Sequence, residues 1–228
     1  MIRCALVVAV TSLGCSAGFG LAQTAKTVEP GGGRMTVGMG GAFNEYDRER
    51  KGPGIYNLSY ETAWRYGLAR KTDVGLGPWL GLGLQLDVKH ELTPREKRYG
   101  IALRGGGGFS AGAPNSFSAF LGTIASFEIF PWLTPYGGLA FRNFWFNDRT
   151  QHPPPTDGSE WAKRRGYGDG LLQATLGLRL HTGRAAIYLE YARWLPMQND
   201  PGDFFKLVAS HVFTLSVGFC LGPECRQG

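Results

Sequence analysis

At 228 residues the chain has room for one large domain or two small ones. Its 35 glycines are about twice the usual share, which argues against a mainly helical protein, because each interior glycine costs a helix up to about 1 kcal/mol. The net charge of +6 is spread along the chain, and its basic runs (Arg48, Arg50 and Lys51; Lys163, Arg164 and Arg165) sit beside Asp47, Glu49 and Glu160, so the pattern excludes a nucleic-acid footprint and reads as solvated loop charge.

The N-terminus, MIRCALVVAVTSLGCSAGFGLAQ, places Arg3 before the apolar run Ala5 to Val10 and reaches small residues at Gly20 and Ala22. That order predicts a secretory signal peptide over 1–22, cleaved between Ala22 and Gln23. Two other readings compete. An uncleaved anchor would need residues 4–22 to span a bilayer, but Thr11, Ser12, Gly14, Ser16, Gly18 and Gly20 weaken the second half. A lipoprotein modified at Cys15 would normally carry Leu three residues earlier, where this chain has Ser12. Residues 23–33 read as a flexible N-terminal segment, 34–219 as one domain, and 220–228 as a tail.

From residue 34 onward, apolar and polar residues alternate with the period of two that marks β-strands. RMTVGMGGAF (34–43) sets Met35, Val37, Met39 and Phe43 on one side. YNLSYETAWRYGLAR (56–70) separates Tyr56, Leu58, Tyr60, Trp64, Tyr66 and Leu68 from Asn57, Ser59, Glu61, Arg65 and Gly67. GLGLQLDVKHEL (81–92) alternates Leu82, Leu84, Leu86 and Val88 with Gly83, Gln85, Asp87 and Lys89. RYGIALRGGGGF (98–109), SFSAFLGTIASFEIF (116–130), LLQATLGLRL (171–180) and KLVASHVFTLSVGF (206–219) repeat the pattern, with Arg104, Glu128 and Arg179 on their polar sides.

Those polar sides decide the class. They carry Gly, Ser, Ala and Thr with single charges of both signs, Glu61, Arg65, Asp87, Lys89, Arg104, Glu128 and Arg179. A soluble sheet would present a Lys- and Glu-rich face instead. Small residues and mutually compensating charges suit a narrow lumen, and a closed barrel is the only sheet form that lipid accepts. The expectation is an all-β, closed antiparallel transmembrane barrel with aromatics outward and the charges inside as a lumenal network. Short turns at RKTD (70–73), PWLT (131–134) and TGRA (182–185) fall at one end, and the long connections 147–170 and 196–205 at the other. With 135–146 and 186–195 counted as well, nine segments are evident. Even parity requires 74–92 to be split at Gly77–Leu80, giving about ten strands, with eight as the alternative.

After cleavage only Cys220 and Cys225 remain. In an oxidising compartment they are expected to form a disulfide closing the short tail loop. No catalytic, cofactor or metal site is predicted. Ser210 and His211 are adjacent and so face opposite ways, as do His90 and Glu91. His152 lies among prolines, and Asp200 and Asp203 read as loop acids.

The signal peptide, the periodic Gly and aromatic strands, LTPYGGLAF (133–141) and the Tyr-Gly-Leu piece within RYGLARKTDVGLG (65–77) resemble small bacterial outer-membrane barrels of the OmpA and OmpW type. The resemblance implies a bacterial outer-membrane location, with lipid as the partner, and carries over no functional residue. Such barrels commonly end on an aromatic residue, whereas Phe219 here lies nine residues before Gly228. The functional expectation is a monomeric barrel with a structural or narrow-channel role and no identified small-molecule substrate. The alternatives are an outer-leaflet lipid-modifying enzyme on a small barrel and a soluble lipocalin-like ligand-binding barrel with every face inverted.

Overall fold

The protein was analysed as a computed structural model that describes residues 22–44, 57–79, 83–110, 115–147, 168–197 and 210–221. Ten strands follow in order: β1 (Gly33–Asn44), β2 (Asn57–Ala69), β3 (Thr72–Trp79), β4 (Gly83–Glu91), β5 (Tyr99–Ser110), β6 (Asn115–Phe127), β7 (Leu133–Asn147), β8 (Gly168–Thr182), β9 (Ala185–Pro196) and β10 (Ser210–Leu221). Each pairs antiparallel with its sequence neighbours, and β1 pairs with β10 from Gly33–Leu221 to Asn44–Ser210. The sheet is therefore closed into a barrel, although the β2–β3 ladder stops at Trp64–Leu76, short of the ends of both strands.

The alternation sorts side chains as expected. In β4, Leu84, Leu86 and Val88 are exposed on the outside while Gln85, Asp87, Lys89 and Glu91 are buried inside. The same holds for Trp64 against Arg65, Phe117 against Ser118, Leu176 against Thr175 and Leu215 against Ser216. The exterior is a continuous band of Leu, Val, Ile, Met and aromatic residues, the surface of a barrel that sits in lipid.

Beside the expected small and charged residues, the lumen holds large ones. Phe120, Ile124, Tyr136, Phe144, Leu171, Tyr188 and Trp194 point inward and are buried. They fit because glycines face them. A Cβ on Gly177 would meet the Tyr136 ring at 2.3 Å, and one on Gly218 would meet Tyr188 at 2.9 Å. Large and small inward positions interdigitate across neighbouring strands, so side chains pack the lumen among the described residues.

Several boundaries depart from the sequence reading; Leu133 and Thr134, read as turn residues, begin β7, and Thr182 and Ala185 belong to β8 and β9. The split inside 74–92 is present, but β3 runs through Gly77 and Pro78 to Trp79, into the expected break at Gly77–Leu80, and β4 begins at Gly83. Proline is tolerated there since the ladder between β2 and β3 ends at Trp64–Leu76. Thr72 and Asp73, read as part of a turn, begin β3, which leaves Arg70 and Lys71 as the connection. Cys220, assigned to the tail, belongs to β10 and lies opposite Arg34 in register. The largest departure concerns residues 23–33, expected to be flexible. Gln23, Thr24, Ala25, Thr27 and Val28 are buried within the barrel. Their polar, small character reads as a linker in isolation, yet it is what a polar lumen can hydrogen-bond.

The connections β2–β3, β4–β5, β6–β7 and β8–β9 share one rim with the entry of β1 and the exit of β10. The two-residue connection between β8 and β9 turns at Gly183, whose φ of +57° favours glycine. The connections at the opposite rim, including the expected long loops, lie outside the described residues.

Candidate functional site

Three layers fill the lumen above the short-turn rim. The middle one is ionic. Arg65 on β2 donates from Nε to Asp73 Oδ1 at 2.8 Å and from Nη2 to Asp87 Oδ1 at 2.8 Å. Arg104 on β5 donates to the other oxygen, Asp87 Oδ2, at 2.9 Å. Lys89 lies 3.5 Å from Asp73 Oδ2, and both side chains are fully buried. Burying one of these charges alone would cost several kcal/mol, and only a network in which each finds its opposite offsets that cost.

A cross-brace lies above it. Arg142 on β7 reaches across the lumen to donate to Gln85 Oε1 of β4 at 2.8 Å. Its guanidinium lies 4.4 Å from the centroid of the Phe120 ring and 5.7 Å from that of Trp194. Arg104 lies 4.9 Å from the Phe120 centroid. Each cation–ring attraction strengthens where water is excluded, offsetting part of the repulsion between the two cations. Side chains from β4, β6, β7 and β9 thereby meet across the bore.

Below the ionic layer, residues 22–29 form a strap from one wall to the other. It enters beside β2, where Gly31 N donates to Gly67 O at 2.9 Å and Gly67 N to Gly32 O at 3.1 Å. Gly67 is required here, because a Cβ would lie 1.9 Å from Glu29 O. Val28 N then donates to Asp73 Oδ2 at 2.9 Å and Thr27 Oγ1 to Glu91 Oε2 at 3.2 Å. Lys89 Nζ donates to two strap carbonyls, Thr24 O at 3.0 Å and Lys26 O at 2.9 Å. Lys26 pairs with Glu91 at 3.3 Å, and Arg95 pairs with Glu29. Ala25 packs with Ala102 and Ile124. Ala22 packs with Tyr136, Ala186 and Tyr188 on the far wall, and its N donates to Glu190 Oε2 at 2.9 Å. Buried backbone groups need partners, and the lumen supplies them to the strap from β3, β4 and β9.

Of the expected lumenal charges, Arg65, Asp87 and Arg104 are brought together, and Lys89 joins them through Asp73. Arg179 on β8 is opposite Thr134 and Tyr188 in register, away from that cluster. Glu128 falls just past β6, where its N donates to Arg98 O at 2.7 Å. Glu61 pairs in register with Gly38, and its side chain lies outside the described residues. Ala22 and Gln23, the expected cleavage pair, are both buried in the strap. Cys220 is disulfide-bonded, while Cys225 and Cys15 lie outside the described residues.

Sequence reasoning did not single out Asp73, Glu91, Arg142 or Glu190. Alternation marks Arg142 and Glu190 as inward, from Tyr136–Gly138–Ala140–Arg142–Phe144 and Tyr188–Glu190–Ala192–Trp194. Asp73 was hidden by its assignment to a turn. Among the described residues no group of three His, Cys, Asp or Glu could hold a metal ion. His90 meets Thr72 Oγ1 at 2.9 Å and His211 meets Tyr191 OH at 2.5 Å, both on the outward face. His152, Asp200 and Asp203 lie outside the described residues.

No family model and no curated protein matches the chain. Solved structures similar to it include the N-terminal barrel domain of Pseudomonas aeruginosa OprF, at 11% identity and a TM-score of 0.39, covering 85% of this chain and 100% of that one. An outer-membrane channel of Pseudomonas putida F1 is 9% identical with a TM-score of 0.47, covering 86% and 98%. The outer-membrane protease OmpT of Escherichia coli is 10% identical with a TM-score of 0.43, covering 87% and 99%. The likeness is one of barrel form.

Proposed function

We propose that this protein is exported under a leader removed after Ala22, inserts as a monomer in the bacterial outer membrane, and serves there as a closed structural barrel. The carrying observation is the filled bore. The Arg142–Gln85 brace, the Arg65–Asp87–Arg104 cluster and the strap 22–29 lie one above another. A solute crossing the barrel would have to break all three layers, two of them made of buried ion pairs or cation–ring contacts. The apolar band supports lipid as the immediate partner, and closure of β1 on β10 supports a monomer, since the first and last strands pair with each other.

Bilayer recording tests this reading against the narrow-channel one. The full processed chain, inserted into planar bilayers, is expected to give no discrete conductance steps. Shortening Arg142 to Ala together with removal of residues 23–29 is expected to produce them. Regular ohmic steps from the unaltered protein would overturn the structural reading in favour of a channel.

A further inference from the structure

The strap ends against Glu190. This carboxylate on β9 is buried, accepts Ala22 N at 2.9 Å and accepts the Tyr136 hydroxyl at 2.8 Å. In the unprocessed chain the group offered by Ala22 is a peptide N–H, one donor without charge. Cleavage after Ala22 converts the next nitrogen, that of Gln23, into an ammonium with three donors and a positive charge. Consecutive Cα atoms are about 3.8 Å apart, so the new terminus is created within one residue of Glu190.

A second observation points to the same place. Gln23 is 2% exposed, and its Oε1, like Oγ1 of the neighbouring Thr24, is buried without a hydrogen-bond partner. Buried acceptors of this kind call for a donor. A terminal ammonium supplies donors beyond those of a peptide N–H and suits a buried carboxylate, because charge-assisted hydrogen bonds are about twice as strong as neutral ones.

We infer that Glu190 is the receptor for the α-ammonium of Gln23, so that leader removal completes the lumen and latches the strap across it. This rests on the proposed cleavage between Ala22 and Gln23. The reaction is hydrolysis of that peptide bond, in which water gives its hydroxyl to the Ala22 carbonyl and a proton to the released amine, which takes up a second proton on entering the latch. Processing then replaces the neutral Ala22 N–H contact at Glu190 with a charged one, so that a strap already seated is held more tightly.

The experiment uses the full processed protein purified from membranes. Intact mass first establishes the terminus. A start other than Gln23 overturns the cleavage reading, whereas a start at Gln23 carrying the loss of ammonia, the cyclised form without a charge, overturns the latch alone. With a free Gln23, the folded protein is treated with an amine-reactive ester near neutral pH, and α-amine labelling is read by peptide mapping. The wild type is expected to label at least ten-fold more slowly folded than unfolded. Glu190→Gln, which keeps the acceptor for Tyr136 but removes the charge, is expected to lose most of that protection. Should Glu190→Gln fail to fold, deletion of Gln23 alters no strand and shifts the terminus by one residue, and it is expected to expose the amine equally. Protection absent from the wild type, or unchanged in the variant tested, overturns the inference.

Discussion

At the scale of single residues, Asp87 is the hinge of the ionic layer. Each of its carboxylate oxygens accepts from a different arginine, Oδ1 from Arg65 and Oδ2 from Arg104. Replacing it with Ala leaves two buried guanidinium groups facing each other, and Asp73 can compensate only Arg65. Removing one partner of a buried pair costs about 3–5 kcal/mol because the remaining charge is uncompensated. Asp87→Ala is expected to lower stability by that order, read as a shift in the urea midpoint of reversible unfolding in lipid. Arg104→Met is expected to cost less when added to Asp87→Ala than on its own, because the double change removes the orphaned charge. Strict additivity of the two would show that Asp87 and Arg104 do not act as a pair.

At the scale of elements, the strap depends on one glycine. A Cβ at Gly67 would collide with Glu29 O, the far side being backbone that cannot swing away, whereas one at Gly33 would find nothing closer than 3.7 Å. Gly67→Ala is therefore expected to lift the strap and let trypsin cut after Lys26 in the folded protein, while Gly33→Ala leaves that bond protected. Equal protection in both would mean that the strap is not held at this crossing. β4 shows how far alternation carries. Its two faces were legible from Leu84, Gln85, Leu86 and Asp87 alone, because a period of two needs no knowledge of the rest of the chain. What each inward residue touches was not legible. An arginine at Gln85 would have the Asp87 carboxylate two residues away on the same face. In the structure Gln85 accepts Arg142, so a second cation there meets like charge. Gln85→Arg is expected to be as damaging as Leu84→Arg, for which lipid exposure sets a cost of about 2–4 kcal/mol near the midplane. The strap was invisible for the same reason: contacts such as Val28–Asp73 and Ala22–Glu190 span 45 and 168 residues, and no local pattern records them.

At the scale of the whole molecule, the question is what solvent the exterior was selected for. A soluble barrel keeps its apolar faces inside and its charges out. Here the inward set includes Arg65, Asp73, Asp87, Lys89, Glu91, Arg142 and Glu190, whereas Leu84, Leu121, Leu139, Leu176 and Phe213 stand outward and are each more than half exposed. Contiguous apolar patches beyond a few hundred Å² are rare on soluble monomers, and this band continues through strands that close on themselves. The lipocalin-like alternative would need every one of these residues to face the other way, which a period of two allows only by shifting the register of the entire sheet. Accessibility separates the two solvents. Single cysteines at Leu84, Leu121 and Leu176, in a chain with Cys220 and Cys225 changed to Ser, are expected to resist a water-soluble maleimide in intact membranes and to react with a lipid-confined one. All three should react with the aqueous reagent once the protein is unfolded in urea. A cysteine at Lys97, in the β4–β5 connection at the short-turn rim and outside the band, should label with the aqueous reagent whenever that rim is reached. Rapid aqueous labelling at all three band positions in the folded, membrane-bound protein would mean that water and not lipid covers the barrel.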